Sequence, residues 1–205
     1  MYKIAIAGVG VVGSALLEII KEKKQDFQIL TGEEIEVCGY LARSDKKLNI
    51  KFFSDYQSLI DEAKPDLLIE LIGGTKGGAY ELVKYALESG VSVITANKAL
   101  IATYGNELLP LASKNQVTIN YEAAVAGALP IIRLLKNVLN FEEITEVKGI
   151  LNGTCNYILS QMSEAGYSYS AALEEAKEKG YAESDPTLDV DGTDTMQKLK
   201  IISAL

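Results

Sequence analysis

Histidine and tryptophan are absent from this sequence of 205 residues. The lack of histidine excludes three common kinds of site from the chain: a Ser–His catalytic triad, a histidine-ligated zinc centre and a histidine proton relay. Any general acid or base must therefore be a lysine, aspartate, glutamate, tyrosine or cysteine.

Cysteine is scarce, with only Cys38 and Cys155. One disulfide between them stays possible, but two reduced thiols in a cytoplasmic protein are favoured. The segment from Met1 to Gly8 runs directly into a strand pattern and lacks the apolar core and cleavage site of a secretory signal. No apolar run is long enough to span a bilayer. These features predict a cytoplasmic protein with no membrane partner.

The sequence has fewer basic than acidic residues. Lys and Arg total 20 against 28 Asp and Glu, which gives a net charge of -8. A chain this acidic is a poor candidate for binding nucleic acid or an anionic membrane through its overall charge. Hydrophobic residues make up 48% of the chain, which indicates a globular protein with a full-sized core.

Short β-branched runs alternate with amphipathic helical stretches as far as Tyr121. Strands are expected at 2–7, 34–42, 66–71, 92–95 and 117–121, and helices at 12–24, 55–62, 78–89 and 104–114. Residues 25–33 read as a polar, turn-like connection. This alternation predicts βαβ units and therefore an α/β fold of the Rossmann type, with a doubly wound parallel sheet covered on both faces.

The pattern changes after about Leu129, which predicts a first domain over 1–128 and a second over 129–205. In the second domain we expect helices at 129–138, 155–164 and 170–179, a strand at 144–150, an acidic loop at 181–192 and a helix from about Thr193. The last residues, up to Leu205, continue an apolar helical pattern without a cap. We therefore expect a truncated chain that contains only part of an α+β domain.

Three glycines, Gly8, Gly10 and Gly13, form a G-x-G-x-x-G pattern between the first expected strand and the first expected helix. In that context Gly8 permits a tight turn, Gly10 lets the backbone approach a pyrophosphate, and Gly13 lets the helix pack against the strand. The phosphates would lie at the helix N-terminus, where N–H groups favour anions. The alternative is a glycine-rich turn with no ligand. We expect a dinucleotide-binding domain.

The end of the second expected strand bears on the choice between NADP and NAD. Arg43 follows this strand, and a guanidinium suits a 2′-phosphate because it forms a charge-assisted fork with phosphate oxygens. NADP is therefore favoured, although Asp45 keeps NAD possible. The alternative interpretation is a solvated basic loop.

Two further strand ends face the same edge of the expected sheet. Gly74 and Thr75 follow the third strand, and Lys98 follows the fourth. Since ligands bind outside the carboxyl ends of strands in open α/β sheets, both segments are expected to face the cofactor.

The sequence resembles the homoserine dehydrogenase family in four ordered segments that cover essentially the whole chain. They are TANK at 95–98, EAAVAGALPII at 122–132, GILNGTCNYI at 149–158 and GYAESDP at 180–186. The resemblance implies a reversible hydride transfer between NAD(P)H and L-aspartate 4-semialdehyde, which gives L-homoserine in threonine, methionine and isoleucine biosynthesis. It also implies a homodimer formed through the substrate domain.

The resemblance further implies roles for particular residues. Lys198 matches the family's proposed acid–base lysine, and Lys98 matches a lysine that serves cofactor and substrate. Glu183 and Asp194 match substrate-binding positions. Contacts to the cofactor are implied for Val11, Val12 and Thr75, and main-chain ligation of a sodium ion for Glu122, Val125, Gly127 and Leu129. The family's catalytic region continues beyond the end of this chain, which puts activity in doubt.

The residues themselves suit this chemistry. An aldehyde that gains a hydride needs a proton on its oxygen, and without histidine a lysine is a natural donor. Asp194 and Lys198 lie four residues apart and so share one helix face. With Glu183, Asp185 and Asp189 they could form an acidic pocket for a substrate ammonium group. The alternatives are an ordinary surface ion pair and a solvated acidic loop, because the spacing does not fit a calcium loop.

Two other functions stay open. A nucleotide-binding module without catalysis, either a fragment or a sensor, would also need the glycine pattern. A related dehydrogenase could use another amino-acid substrate.

Overall fold

The computed structural model describes residues 1–75 and 78–205. The chain forms two compact units, Met1–Pro130 and Ile131–Leu205.

The first unit is built on a six-stranded sheet in which every neighbouring pair is parallel. The strands are β1 Tyr2–Ala7, β2 Ile35–Leu41, β3 Phe52–Phe53, β4 Leu67–Glu70, β5 Ser92–Thr95 and β6 Ile119–Asn120. Their order across the sheet is β3-β2-β1-β4-β5-β6. This order reverses direction between β1 and β4, as in dinucleotide-binding folds, and it confirms the predicted fold class.

Five helices accompany this sheet in the described part of the first unit: α1 Val11–Glu22, α2 Lys24–Thr31, α3 Tyr56–Ala63, α4 Ala79–Glu88 and α5 Lys98–Lys114. A short 3-10 helix follows at Glu122–Ala124. The strands contribute the most deeply buried apolar residues, among them Ile6, Tyr40 and Leu68, each at 0% exposure. Such strands read as continuous apolar runs because helices cover both faces of a parallel sheet.

The predicted turn at 25–33 is wrong, because Lys24–Thr31 forms helix α2. Its apolar residues are not buried, and Ile29 and Leu30 are each 82% exposed. The usual periodic burial pattern is therefore missing from its sequence. The helix ends at Gly32, which is left-handed (φ 74°) and donates its N–H to the carbonyl of Gln28.

Helix α5 begins six residues earlier than the sequence predicted, at Lys98 rather than 104. Asn97 caps it, since the Asn97 side chain accepts the N–H of Leu100 at 3.0 Å. Asparagine is a favoured N-cap residue because its side-chain oxygen satisfies an otherwise unpaired N–H of the first turn. The short strand β3 was not predicted at all.

The described second unit is helical. Its helices are α6 Ile131–Arg133, which continues as a π-helix over Leu134–Val138, then α7 Gly153–Glu164, α8 Tyr169–Glu178, α9 Thr187–Val190 and α10 Thr193–Ile202. Helix α9 lies within the segment that was predicted as a loop. The core of this unit includes Ile158, Ala172 and Ala176.

The strand predicted at 144–150 is wrong, since none of these residues forms a strand. The apolar residues that suggested it are exposed: Ile144 at 48%, Val147 at 47% and Ile150 at 55%. A strand needs a neighbouring strand to satisfy its backbone groups, and none of the strands in the described residues belongs to this unit.

Within the described residues, no helix combines the length and apolar character needed to cross a membrane. Cys38 and Cys155 are both free thiols.

Candidate functional site

Two of the three glycines after β1 are required by the packing of the loop itself. Gly8 has a φ of 98°, and a Cβ on it would lie 2.6 Å from the main-chain carbonyl of Leu71. A Cβ on Gly13 would lie 2.1 Å from the carbonyl oxygen of Gly8. Any side chain at either position would collide with backbone, so these glycines hold the tight turn from β1 into α1.

Gly10 has a different reason to be glycine. A Cβ there would meet no described atom within 4 Å, so no clash inside the protein requires the small residue. Gly10 is the N-cap of α1, whose first turn carries no acidic side chain. The open space and the uncompensated positive end of the helix dipole suit an anion that approaches the backbone closely.

The glycine loop borders a cavity of about 630 Å³. The cavity lies at the carboxyl ends of β1, β2 and β4, where α/β sheets bind ligands. Its lining comprises Gly8, Val9, Gly10, Leu41, Ala42, Arg43, Lys46, Ser54, Asp55, Tyr56, Leu71, Ile72, Gly73 and Gly78. The size and the mixed polar and apolar lining are suitable for a nucleotide.

Two cations, Arg43 and Lys46, and one carboxylate, Asp55, line this cavity. The Asp55 carboxylate caps α3 by accepting the N–H of Ser58 at 2.8 Å, and this hydrogen bond lowers the pKa of Asp55. The carboxylate is therefore engaged with its own helix. The basic side chains give the cavity a local charge opposite to the net charge of the chain.

A buried carboxylate organises the loop after β4. Glu70, at 0% exposure, accepts the backbone N–H groups of Ile72 (2.7 Å) and Gly73 (3.2 Å) through Oε1. Its Oε2 accepts the hydroxyl of Thr95 at the end of β5. Hydrogen bonds from Glu70 thus hold the loop after β4 that lines the cavity.

The same network continues to the start of α5. The Thr95 hydroxyl oxygen accepts the N–H of Asn97 at 2.9 Å, and Asn97 donates its amide to the carbonyl of Gly74 at 2.6 Å. Lys98 is the next residue and is partly buried. Gly74, Thr95 and Lys98 are therefore held at adjacent strand ends. Sequence reasoning missed Glu70 and Asn97 as the residues that organise this edge. The available indication was a carboxylate inside an apolar strand.

Six residues assigned to the cofactor are not part of the cavity lining: Val11, Val12, Gly13, Gly74, Thr75 and Lys98. Val11 and Val12 begin α1 and are 91% and 64% exposed, which is unusual for valine. Thr75 follows the Glu70 loop and is partly buried. Val11, Val12 and Thr75 all belong to segments that border the cavity.

The second unit contains the acid–base candidate. Lys198 and Asp194 face each other across one turn of α10, with Nζ 2.7 Å from Asp194 Oδ2. Nζ also donates to the carbonyl of Leu151 at 2.7 Å. Asp194 is buried at 7% exposure and the Lys198 side chain is 18% exposed. This pair is therefore desolvated, unlike the surface pair that the sequence left as an alternative.

Asn152 holds the carboxylates of this site together. Its amide donates to Asp189 Oδ1 at 2.8 Å and to Asp194 Oδ2 at 2.9 Å, and its Oδ1 caps α7 by accepting the N–H of Cys155. Thr154 donates to the Tyr181 carbonyl and lies 3.1 Å from Asp189 Oδ2. Sequence reasoning missed Asn152 and Thr154. The asparagine before an expected helix was the available indication.

The other two predicted acidic residues are exposed and lie outside this hydrogen-bonded cluster in the described structure. Asp185 accepts the hydroxyl and N–H of Thr187, and these bonds lower the pKa of Asp185. Glu183 has its side chain in solvent. The structure therefore brings Asp189, Asp194 and Lys198 together and leaves Glu183 and Asp185 at the surface.

Cys155 lies beside the cluster, in surroundings that favour its thiol over the thiolate. Burial, followed by the negative charges of Asp189 and Asp194, raises the pKa of its thiol. The thiol donates to the Asp189 carbonyl, with a sulfur–oxygen distance of 3.3 Å.

The segment proposed for main-chain ligation of a cation forms a tight turn at the end of the first unit. After the 3-10 helix, Ala126 and Gly127 both have positive φ (57° and 41°), and Leu129 donates its N–H to the Ala126 carbonyl. Consecutive left-handed residues reverse the direction of the chain. No group of three or more cysteines and carboxylates among residues 1–75 and 78–205 is arranged to hold a metal ion.

Comparisons with known proteins cover both units. A family model described as "Homoserine dehydrogenase, NAD binding domain" matches residues 8–122, and one described as "Homoserine dehydrogenase" matches residues 130–205. A homoserine dehydrogenase of Neisseria gonorrhoeae is 40% identical over 98% of this chain and 47% of its own length. The chain spans about half the length of the curated relatives it matches.

Solved structures agree with these matches. The crystal structure of a homoserine dehydrogenase from Thiobacillus denitrificans is 38% identical, with a TM-score of 0.90 over 99% of this chain and 48% of that one. A hyperthermophilic archaeal homoserine dehydrogenase in complex with NADPH is 34% identical, with a TM-score of 0.83 over 98% of this chain and 68% of that one.

Proposed function

The chain belongs to the homoserine dehydrogenase family, and on that premise we propose that it contributes the cofactor-binding domain (1–128) and part of the substrate domain (129–205) of an NADP-preferring enzyme. The proposed reaction moves a hydride between the cofactor and the pair L-homoserine and L-aspartate 4-semialdehyde. The observation that carries the proposal is the desolvated lysine of α10, Lys198, which is paired with Asp194.

The first unit would bind the dinucleotide. The pyrophosphate would lie over Gly10 at the N-terminus of α1, because the backbone there is open to an anion. Arg43 would pair with a 2′-phosphate, which supports NADP over NAD. An archaeal relative has been solved with NADPH, which is in line with this preference. When bound, the nicotinamide supplies or accepts the hydride.

Lys98 would serve cofactor and substrate from the carboxyl end of β5, where the Glu70 network holds the adjacent loop. Val11, Val12, Gly74 and Thr75 would complete the cofactor contacts.

The second unit would supply the proton. In the reductive direction the Lys198 ammonium would donate a proton to the oxygen of the aldehyde, and in the oxidative direction its neutral amine would accept the hydroxyl proton of homoserine. Asp194 fixes the position of the ammonium group through its ion pair, and Leu151 provides a second acceptor. The carboxylates of Glu183, Asp185, Asp189 and Asp194 would attract the substrate ammonium.

The test compares Lys198→Ala with Lys200→Ala, its matched control on the exposed face of the same helix. Because the chain spans about half the length of its relatives, each substitution is made in the complete enzyme, which is assayed for homoserine-dependent reduction of NADP+ and, by calorimetry, for NADPH binding. We expect Lys198→Ala to reduce turnover by roughly a hundredfold or more, because a general acid–base contributes that much, while NADPH binding to the first unit is kept. Thermal unfolding checks that the variant folds, since Asp194 loses its ion-pair partner. Lys200→Ala should behave as the unmodified chain.

Near-normal turnover of a folded Lys198→Ala protein would contradict the assigned role. If the unmodified chain binds NADPH but does not oxidise homoserine, and addition of the rest of the family's catalytic region does not restore turnover, the chain is a nucleotide-binding module instead. Turnover that is faster with another amino-acid alcohol would assign a different substrate to the same site.

Four broader features belong to the same proposal. We expect a cytoplasmic enzyme of threonine, methionine and isoleucine biosynthesis that forms a homodimer in its complete form. We also expect a sodium ion at the carbonyls of Glu122, Val125, Gly127 and Leu129, because backbone carbonyl groups bind alkali cations. The tight turn at Ala126 and Gly127 supports this placement.

A further inference from the structure

Tyr40 connects the sheet to the loop that carries the basic residues of the cavity. It lies near the end of β2, is fully buried, and packs its ring against Phe52 at 5.6 Å. Its hydroxyl donates to the carboxylate of Asp45 and accepts the backbone N–H of Lys46 at 2.9 Å. A rigid core side chain thus holds the first residues of an otherwise exposed loop.

Asp45 is directed into its own loop by these contacts. Its Oδ1 accepts both the Tyr40 hydroxyl and the N–H of Lys47, which lies 2.7 Å away. These two hydrogen bonds, that of Tyr40 first, lower the pKa of Asp45, so the group stays ionised and firmly bonded near neutral pH. Lys47 adopts the left-handed conformation (φ 54°) that closes the turn.

The consequence appears in the lining of the cavity. Arg43 and Lys46 line it, whereas Asp45, between them in sequence, is not among the described residues that do. In dinucleotide folds a carboxylate at this strand end binds the ribose hydroxyls and disfavours a 2′-phosphate, whereas a cation favours the phosphate. The direction in which Asp45 faces therefore matters for the choice of cofactor.

We propose that Tyr40 is a positioning residue that determines cofactor specificity: its hydroxyl holds Asp45 away from the adenosine ribose and leaves Arg43 and Lys46 facing a 2′-phosphate. This inference rests on the proposed binding of NADP(H) in the first unit. The chain thereby contains the carboxylate expected of an NAD site and uses it as a structural element of an NADP site.

The experiment measures the affinity of the chain for NADPH, NADH, 2′,5′-ADP and 5′-AMP by calorimetry. Tyr40→Phe removes the hydroxyl and keeps the ring that packs on Phe52. Tyr85→Phe is the matched control, because Tyr85 also donates to an aspartate, Asp61 at 3.0 Å, away from the cavity. Thermal unfolding checks that each variant folds.

For Tyr40→Phe we expect the preference for NADPH over NADH, and for 2′,5′-ADP over 5′-AMP, to fall roughly tenfold, which corresponds to the loss of one hydrogen bond to a charged group. A general loss of structure would weaken the binding of all four ligands alike. A change in the affinity ratios therefore indicates a specific effect on the 2′-phosphate. Tyr85→Phe should leave both ratios unchanged.

Two substitutions of Asp45 separate the position of its side chain from its charge. Asp45→Asn keeps the Oδ1 acceptor for Tyr40 and Lys47, so we expect it to keep or increase the preference for NADPH. Asp45→Ala loses both contacts and should behave like Tyr40→Phe. An unchanged ratio in a folded Tyr40→Phe protein overturns the role of Tyr40 while the NADP preference stands. If the unmodified chain does not prefer NADPH, both the preference and this role are wrong.

Discussion

At the residue scale, the buried polar side chains mark the candidate sites. Six polar or charged residues are buried among those described: Glu70, Thr95, Asn97, Asn152, Thr154 and Asp194. The first three form the network at the carboxyl edge of the sheet, and the last three form the cluster around Lys198. Burial of polar groups is costly unless they are hydrogen-bonded. Their concentration at these two places indicates a functional requirement.

Asn152 offers a test of this view. Asn152→Ala removes the N-cap of α7 and leaves the carboxylates of Asp189 and Asp194 without their shared donor. We expect it to lower the free energy of unfolding by about 2–3 kcal/mol, because an unsatisfied buried group adds to the lost cap. The control is Ser168→Ala, which removes the cap of α8 and an exposed contact with the Ser170 hydroxyl and should cost about 1 kcal/mol. Urea unfolding measures both, and equal costs would show that the carboxylates do not depend on Asn152.

Single residues differed in how far the sequence alone predicted their roles. Gly8, Gly10 and Gly13 were identifiable because their spacing between a strand and a helix has one common use. Arg43 followed from its position after the second strand. The sequence could mark Glu70 and Asn152 as unusual but could not predict their partners, which lie 25 or more residues away: Thr95 for the first and Asp189 for the second.

At the element scale, burial decides which predictions are correct. The strands predicted at 2–7 and 92–95 match β1 and β5 in both bounds, because their residues form continuous runs in a sheet covered on both faces. Helix α2 and the segment at 144–150 were assigned wrongly, because their apolar residues are exposed. Periodicity predicts an element only when the element buries one face.

The end of helix α5 allows a stability test of a single turn. Gln116 is left-handed (φ 57°) at the position after the C-cap, and the N–H groups of Gln116 and Val117 donate to the carbonyls of Ser113 and Ala112. This closing pattern favours glycine. Gln116→Gly should therefore raise the free energy of unfolding by about 0.5–1 kcal/mol, once the greater entropy of the unfolded chain is subtracted.

The matched control is Gln28→Gly, inside helix α2, where the same change should cost about 1 kcal/mol because glycine disfavours a helix interior. Denaturant titration measures the free energy of unfolding of both variants, which should rise for Gln116→Gly and fall for Gln28→Gly. A loss of stability with Gln116→Gly would contradict the left-handed conformation of this residue.

At the scale of the whole molecule, the topology brings the nucleotide-binding segments together. The strand order β3-β2-β1-β4-β5-β6 brings the carboxyl ends of β1, β2 and β4 to one edge, beside the cavity. The alternation of elements predicted this parallel sheet. The sequence of residues 144–150 suggests a strand, but it does not show whether another strand is available to pair with it. The absence of a strand there could therefore not be foreseen. The net charge of -8 also hides the basic character of the cavity.

The opposite edge of the same sheet provides an internal control for cofactor binding. A second cavity, of about 450 Å³, lies near the amino ends of the strands and is lined by Tyr2, Asp66 and Val91 among others. Its described lining includes neither the glycine loop nor the N-terminus of α1. We expect a nucleotide to bind at the carboxyl edge of the sheet and not at the amino edge.

Hydrogen exchange of the chain with and without saturating NADPH tests the central claim most directly. We expect slower exchange of backbone amides at 8–14, 41–47 and 70–75, because the ligand would cover the carboxyl edge of the sheet. Exchange at 60–66 and 89–91, at the amino edge, should stay unchanged. Protection confined to the amino edge, or no protection at a saturating concentration of NADPH, would contradict the assignment of the dinucleotide site.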